Sequence, residues 1–382
     1  MNKHRRRLFV FAVSGLAFFL GVELGSFNLV LFRIAREFTL NTGIMGILVT
    51  FQYMAITAAP VAFGWIADRI GKKTTLLIFM PVFTGGCFIS AASGSVIVFV
   101  AGVFVLGVGY SVCESVSSSA LSDTFPGREN RYMNIMQCSF SLGAVISPLF
   151  FRWFLDQLHN SWYWVFIVSG CGFILFYPLI LFSDCRGAES GNPRAKAGSL
   201  IPVLRSPFFI ALLFCMTAYV AMETGISYFI DSLLVTEYQN SALSAWAISG
   251  FWFAMAFSRL FFASITMKPR AMVLLGFSVS VFLLFVLFFF KNQWVFFCAV
   301  LSLGFMMGPV WPMVLSTGIS AFQEKSGTVG GILYAGGGVG GIVTPLIFSA
   351  IAENAGFYAG FLFLAFIAAL GFLSMKLWGK TS

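Results

Sequence analysis

Apolar residues run along the chain in long stretches, and short polar clusters interrupt them at nearly regular intervals. The first stretch extends from about Leu8 to Ile34. A helix of roughly 20 apolar residues crosses a bilayer. Breaking the chain at its charged, Gly/Pro and Asn/Ser clusters predicts twelve such helices, at about 8–35, 42–67, 75–93, 96–122, 132–156, 162–183, 207–236, 241–267, 271–290, 294–321, 328–352 and 355–378. Several exceed a minimal span, which predicts tilt or extension past the lipid. The longest polar stretch, 184–206, is basic and rich in Gly, Ser and Pro, as a flexible linker would be. The expected organisation is an N-terminal six-helix half over 1–183, a linker over 184–206 and a C-terminal six-helix half over 207–382.

Composition agrees with an all-α membrane protein. The 382 residues are 59% hydrophobic and 10% charged, with mean hydropathy +0.92, which excludes a soluble globular domain. The formal charge of +9 does not point to nucleic acid, because most of the 23 Lys and Arg lie in short loops. Placing the N-terminus in the cytoplasm puts the large majority of them on the cytoplasmic side, so both termini are expected there. Lys3-His4-Arg5-Arg6-Arg7 imitates the start of a signal peptide, but the apolar run behind it is about twice the usual length, which predicts a retained first helix. Seven cysteines, an odd number without metal-ligand spacing, are expected to be small packing residues. The two histidines, His4 and His159, lie outside the apolar runs. No metal site, cofactor or catalytic constellation is therefore expected, so an enzyme is not. Nothing in the sequence requires more than a monomer.

Three apolar runs carry a central glutamate: Glu23, Glu114 and Glu223. An acid at such a depth is costly and marks a functional position with a partner to be found. A carboxyl removed from water and lacking a cation is disfavoured as the anion. Such a group can take a proton on one side of a membrane and release it on the other. The alternative role is a hydrogen bond between helices. Arg259, the basic residue set deep in a run, can pair with one of the acids. Asn28, Gln52, Tyr53, Asn134, Gln137, Trp252 and Trp311, with Tyr228 and Tyr334, supply carboxamides and aromatic faces. These groups suit a hydroxyl-rich solute with apolar C–H surfaces, though each also suits packing or an interfacial anchor. Asp231, two turns beyond Glu223, suits a vestibule or a structural role. The glycines between Gly327 and Gly341 lack the following Lys-Ser/Thr of a phosphate loop, so close helix packing is expected of them.

The halves resemble each other. Glu23 and Glu223 are 200 positions apart. Gly143-Ala144-Val145-Ile146-Ser147-Pro148-Leu149 matches Gly340-Gly341-Ile342-Val343-Thr344-Pro345-Leu346 at an offset of 197, and Leu106-Gly107 matches Leu303-Gly304 at the same offset. Three matches in one helix order indicate an internal repeat. Parallel halves joined by a linker resemble the major facilitator fold, which implies a substrate site near the bilayer midplane.

Gly64-Trp65-Ile66-Ala67-Asp68-Arg69-Ile70-Gly71-Lys72-Lys73 resembles the G-x-x-x-D-R-x-G-[RK]-[RK] signature of that superfamily and stands where it belongs, after the second helix. The resemblance implies a gating latch. Gly64 and Gly71 permit close approach, and Asp68 meets the start of the eleventh helix near Gly327 to Gly330. Arg69 pairs with Asp123, and Lys72 and Lys73 complete the basic end. The matching place in the second half, Ala263 to Arg270, lacks the acid, so the latch is asymmetric.

Three further segments resemble the fucose/glucose:proton symporter group of bacterial sugar permeases: Gly107, Gly109, Glu114 and Ser115 in the fourth helix, Tyr219 to Thr224 in the seventh, and Gly304 to Pro312 in the tenth. That resemblance implies proton-coupled uptake of a hexose-type solute across the bacterial inner membrane, with Glu114 handling protons or sugar. Proton-coupled export of a drug or metabolite stays open, because Gly143 to Pro148 partly imitates an antiporter motif.

Overall fold

The computed structural model describes residues 3–39, 42–157, 162–185, 201–265 and 267–378. Regular structure among them is helical throughout: α1 Lys3–Glu37, α2 Thr42–Ile70, α3 Lys72–Ala91, α4 Val96–Thr124, α5 Glu129–Gln157, α6 Trp164–Phe182, the short α7 Ile201–Leu204, α8 Pro207–Tyr238, α9 Ser241–Ser264, α10 Pro269–Phe289, α11 Gln293–Met307, α12 Val310–Ala321, α13 Ser326–Ala355 and α14 Phe357–Trp378. Ten stretches of the described residues are long and apolar enough to cross a membrane. α2 and α5, of 29 residues each, match them in length. Most of the expected linker, 186–200, lies outside the described residues.

Polar residues set several helix starts. Ser95 caps α4 by accepting from Val98 N, Asn240 caps α9 through Leu243 N, and Asn292 caps α11 through Trp294 N and Val295 N. Gly71 stands between α2 and α3 at φ 92°, a conformation that favours glycine, and lets α3 begin at Lys72.

The tenth apolar run, expected as one helix over 294–321, forms one span over Gln293–Ala321, but its hydrogen-bond ladder is interrupted at Gly308-Pro309, between α11 and α12. Single prolines elsewhere, Pro60, Pro81 and Pro345, sit inside continuous helices. Here Pro309 and Pro312 together remove the amide donors that the Phe305 and Gly308 carbonyls would meet four residues on.

The chain divides into two compact units: Met1–Ala197 with Ile319–Ala335, and Gly198–Gly318 with Gly336–Ser382. Segment 319–335, from the second half of the sequence, thus counts with the first unit. Glycine permits the closest helix approaches inside each unit. A Cβ at Gly143 of α5 would lie 2.1 Å from the Phe18 carbonyl oxygen of α1, and one at Gly340 of α13 would lie 2.3 Å from that of Thr217 in α8. Gly107 meets the Gln52 carbonyl of α2 in the same way, and Gly304 meets that of Phe251 in α9. The internal repeat is therefore visible as repeated packing. It also corrects one equivalence. Gly143 touches Phe18 and Val22, whereas Gly340 touches Thr217 and Ala221, so α1 and α8 correspond at an offset of 199. Glu23 corresponds to Met222, and Glu223 is one residue further round its helix, about 100° away.

The core of the first unit is rich in phenylalanine, with Phe9, Phe83, Phe99, Phe166 and Phe173 fully buried. Large apolar residues such as Ile97, Leu175, Phe282 and Phe289 are exposed on the outside. Such a surface suits lipid rather than water.

Candidate functional site

Polar chemistry gathers in three places, two in the first unit and one in the second. In the first unit, Glu23 of α1 and Gln52 of α2 are both wholly buried. Gln52 Nε2 donates to Glu23 Oε1 at 2.9 Å and Oε2 at 3.2 Å. Glu114 of α4 receives Gln137 Nε2 of α5 at 3.1 Å. The two acid–carboxamide pairs stand on the first and second helices of successive helix triplets, the arrangement that a nested inverted repeat produces. Tyr110 of α4 is buried within electrostatic reach of both acids. Ser118 hydrogen-bonds Tyr334 at 3.0 Å, which brings that tyrosine to the same stretch of α4.

Unused hydrogen-bonding capacity surrounds these pairs. Gln52 Oε1, Asn134 Oδ1 and the hydroxyls of Ser26, Ser115, Ser117 and Ser147 are buried without a hydrogen-bond partner. Asn134 spends its amide on the Asn130 carbonyl at 2.7 Å. Native interiors leave few polar atoms in this state, so each asks for a reason. Tyr53 is half-buried next to Gln52.

The second unit holds a different cluster. Tyr219 Oη donates to Glu223 Oε1 at 2.8 Å and accepts from Arg259 Nη2 at 3.0 Å. Arg259 lies 3.9 Å from the Glu223 carboxylate and is only 2% exposed. Its Nε donates to the Gly308 carbonyl at 2.9 Å, the acceptor that Pro312 leaves without an intrahelical donor. The arginine thus restores backbone hydrogen bonding at the helix break while it faces Glu223. The Trp311 ring packs 5.8 Å from that of Tyr219, so Trp311 joins the cluster. Trp252 packs on Phe251 instead. The side chains of Asn28, Tyr228 and Asp231 lie outside the described residues.

The third place is the motif after α2, expected from the sequence to act as a latch, and it lies wholly within the first unit. The Asp68 carboxylate accepts from Gly327 N at 2.8 Å, Thr328 N at 2.9 Å and Thr328 Oγ1 at 2.8 Å, all at the start of α13. A helix N-terminus favours a carboxylate there. A Cβ at Gly64 would lie 2.7 Å from the Gly327 carbonyl, so glycine sets the spacing. The expected Arg69–Asp123 pair does not form. Arg69, on the exposed last turn of α2, stacks over Trp65 at 4.4 Å. Lys72, turned inward by the bend at Gly71, takes Asp123 together with Ser326. Lys73 donates to the Ser183 carbonyl at 2.8 Å.

The sequence reading missed Tyr219, Lys72 as the buried cation, and the backbone role of Arg259. Tyr219 stands four residues before Glu223, a spacing that puts both on one helix face. Pro312 stands four residues after Gly308, and that spacing marks the orphaned carbonyl.

Two repeated helical units, buried acids in apolar helices and a capped interhelical loop define a multi-pass membrane protein built like a transporter. A sequence model of the Major Facilitator Superfamily matches residues 8–332 and 212–381, and the chain belongs to that superfamily. It is similar to the Protein TsgA homolog of Edwardsiella ictaluri, 24% identical over 344 residues that cover 87% of this chain and 85% of the relative. Protein TsgA of Salmonella newport is 24% identical, with 86% and 84% covered. The fold is similar to that of the E. coli fucose:proton symporter FucP, with TM-score 0.81, 15% identity and 97% and 98% of the two chains covered. It is also similar to that of the proton:xylose symporter XylE, with TM-score 0.82, 13% identity and 98% and 96% covered. The human organic anion transporter MFSD10 gives TM-score 0.80, 18% identity and 98% and 100% coverage.

Proposed function

We propose that the protein is a secondary active transporter that carries a small polar solute, a hexose-type sugar above others, in symport with protons by alternating access. The observation that carries this reading is the polar interior of the first unit. Two buried acids face carboxamides, and buried carbonyl and hydroxyl oxygens around them have hydrogen-bonding capacity left. A polyhydroxylated solute offers the matching donors and acceptors. Sugar:proton symport by the structurally similar fucose and xylose transporters supports the same reading. Glu114, Glu23 and Glu223 are assigned to proton or substrate handling, and Asp68, Lys72 and Asp123 to gating. The positive-inside pattern supports a bacterial inner-membrane location with both termini cytoplasmic.

The second reading is proton-coupled export, and fold similarity to an organic anion transporter favours keeping it. Liposome counterflow separates the two. Labelled hexoses, other polyols and a cationic dye are tested with and without a pH gradient. Sugar exchange accelerated by internal unlabelled sugar is the expected result. Dye expulsion with no sugar exchange would overturn symport in favour of export.

A further inference from the structure

A cavity of about 740 Å³ opens at the end of the first unit where α1 begins and α4 turns into α5. Among the described residues that line it are three arginines, Arg6 and Arg7 from α1 and Arg128 from the turn, and none of those residues is an acid. Two acids that neighbour these arginines in the described residues have other partners. Asp184 lies 3.9 Å from Arg5, and Glu129 accepts from Gly127 N within its own turn. The rest of the wall is largely apolar. Val10 and Phe11 continue along α1, and Tyr132 stacks on Phe125 with ring centres 3.9 Å apart. Phe11 is 61% exposed, so this wall runs out onto the lipid-facing surface. The Ser14 hydroxyl, one turn deeper, is buried in the wall without a hydrogen-bond partner.

A purely solvated basic patch would have no use for an apolar groove leading away from it. A soluble anion would need the arginines but not Phe11. Both features together match a ligand with a phosphodiester at one end and a hydrocarbon chain at the other. Guanidinium forks hold phosphate oxygens in pairs, and basic pockets between membrane helices suit anionic headgroups. We propose that this cavity is a binding site for an anionic phospholipid, with its phosphodiester on Arg6, Arg7 and Arg128 and an acyl chain along Phe11. The site is distinct from the three polar clusters above and does not depend on what the protein transports.

Native mass spectrometry of the full chain in neutral detergent tests it. Phosphatidylglycerol, phosphatidylcholine and inorganic phosphate are titrated separately, and the thermal midpoint of each variant checks folding. Phosphatidylglycerol is expected to remain bound where phosphatidylcholine does not. Arg128→Gln should weaken it about fivefold, the effect of one basic residue near an anionic lipid. Because Gln at positions 6 and 7 could disturb membrane orientation, Arg6→Lys/Arg7→Lys is the companion variant. It keeps the charge, loses the planar forks and should still weaken binding. Phe11→Ser should weaken the lipid and leave phosphate unchanged. Equal retention of phosphatidylglycerol by the wild type and Arg128→Gln would overturn the site. So would phosphatidylcholine bound as tightly as phosphatidylglycerol. Displacement by inorganic phosphate with no effect of Phe11→Ser would assign the arginines to a soluble anion and overturn the lipid.

Discussion

Residue chemistry in the latch turns on which cation is buried. Arg69 and Lys72 are three positions apart in a motif that reads as uniformly basic, yet only Lys72 is turned inward, and it meets Asp123 and Ser326. Removing one partner of a buried pair strands the other. Lys72→Met is expected to cost about 2–4 kcal/mol, reduced from the fully buried case because Asp123 keeps some exposure. Arg69→Met loses an exposed contact with Trp65, worth about 0.5–1 kcal/mol. Thermal unfolding of the two variants in detergent checks this, and equal losses would restore Arg69 as the partner. The motif made the meeting of Asp68 with the start of α13 legible, and the observed hydrogen bonds agree with it. The choice between two cations was not legible, because it depends on the positive φ at Gly71 and the bend that follows.

Helices were legible at the level of long apolar runs, and the paired glycines of the repeat reappear as matched close approaches of α1 to α5 and α8 to α13. The break between α11 and α12 was not. A lone proline does not end a membrane helix, because neighbouring groups can satisfy the freed backbone, and Pro60, Pro81 and Pro345 illustrate this. What distinguishes the break is Pro309 followed by Pro312, with Arg259 donating to the Gly308 carbonyl from α9. A double-mutant cycle tests that substitution of one donor for another. The cost of separating Arg259 from Glu223 enters both arms of the cycle and cancels in the coupling. Arg259→Gln alone should cost about 3–5 kcal/mol, because it strands Glu223 as well as leaving the carbonyl unsatisfied. Pro312→Ala returns the missing amide, so it should stabilise the Arg259→Gln form more than the Arg259 form, by about 1 kcal/mol. Additivity within about 0.5 kcal/mol, read from chemical or thermal unfolding, would show that arginine and proline are independent.

At the scale of the whole molecule, the two units carry unlike polar centres on like frameworks. The contacts described for Glu23 and Glu114 are to neutral carboxamides, whereas Glu223 faces Arg259 through Tyr219. Their offset of one residue between repeat-related helices removes the reason to give Glu23 and Glu223 the same task. Protonating Glu223 breaks an ion pair and disturbs the arginine that caps the helix break, which suits a residue that orders its unit. A glutamate facing a carboxamide can exchange its proton and keep the amide as a partner in either state, because an amide both donates and accepts. This division predicts separable phenotypes in proteoliposomes once counterflow has identified a solute. Glu114→Gln is expected to retain exchange but lose accumulation driven by a pH gradient, because glutamine keeps the hydrogen bond without carrying a proton. Glu23→Gln should show the same direction of effect. Glu223→Gln should lose exchange and accumulation together and lower the thermal midpoint, because it leaves Arg259 without its counter-charge. Exchange and accumulation falling in parallel in Glu114→Gln, or Glu223→Gln alone uncoupling them, would move proton coupling to the second unit.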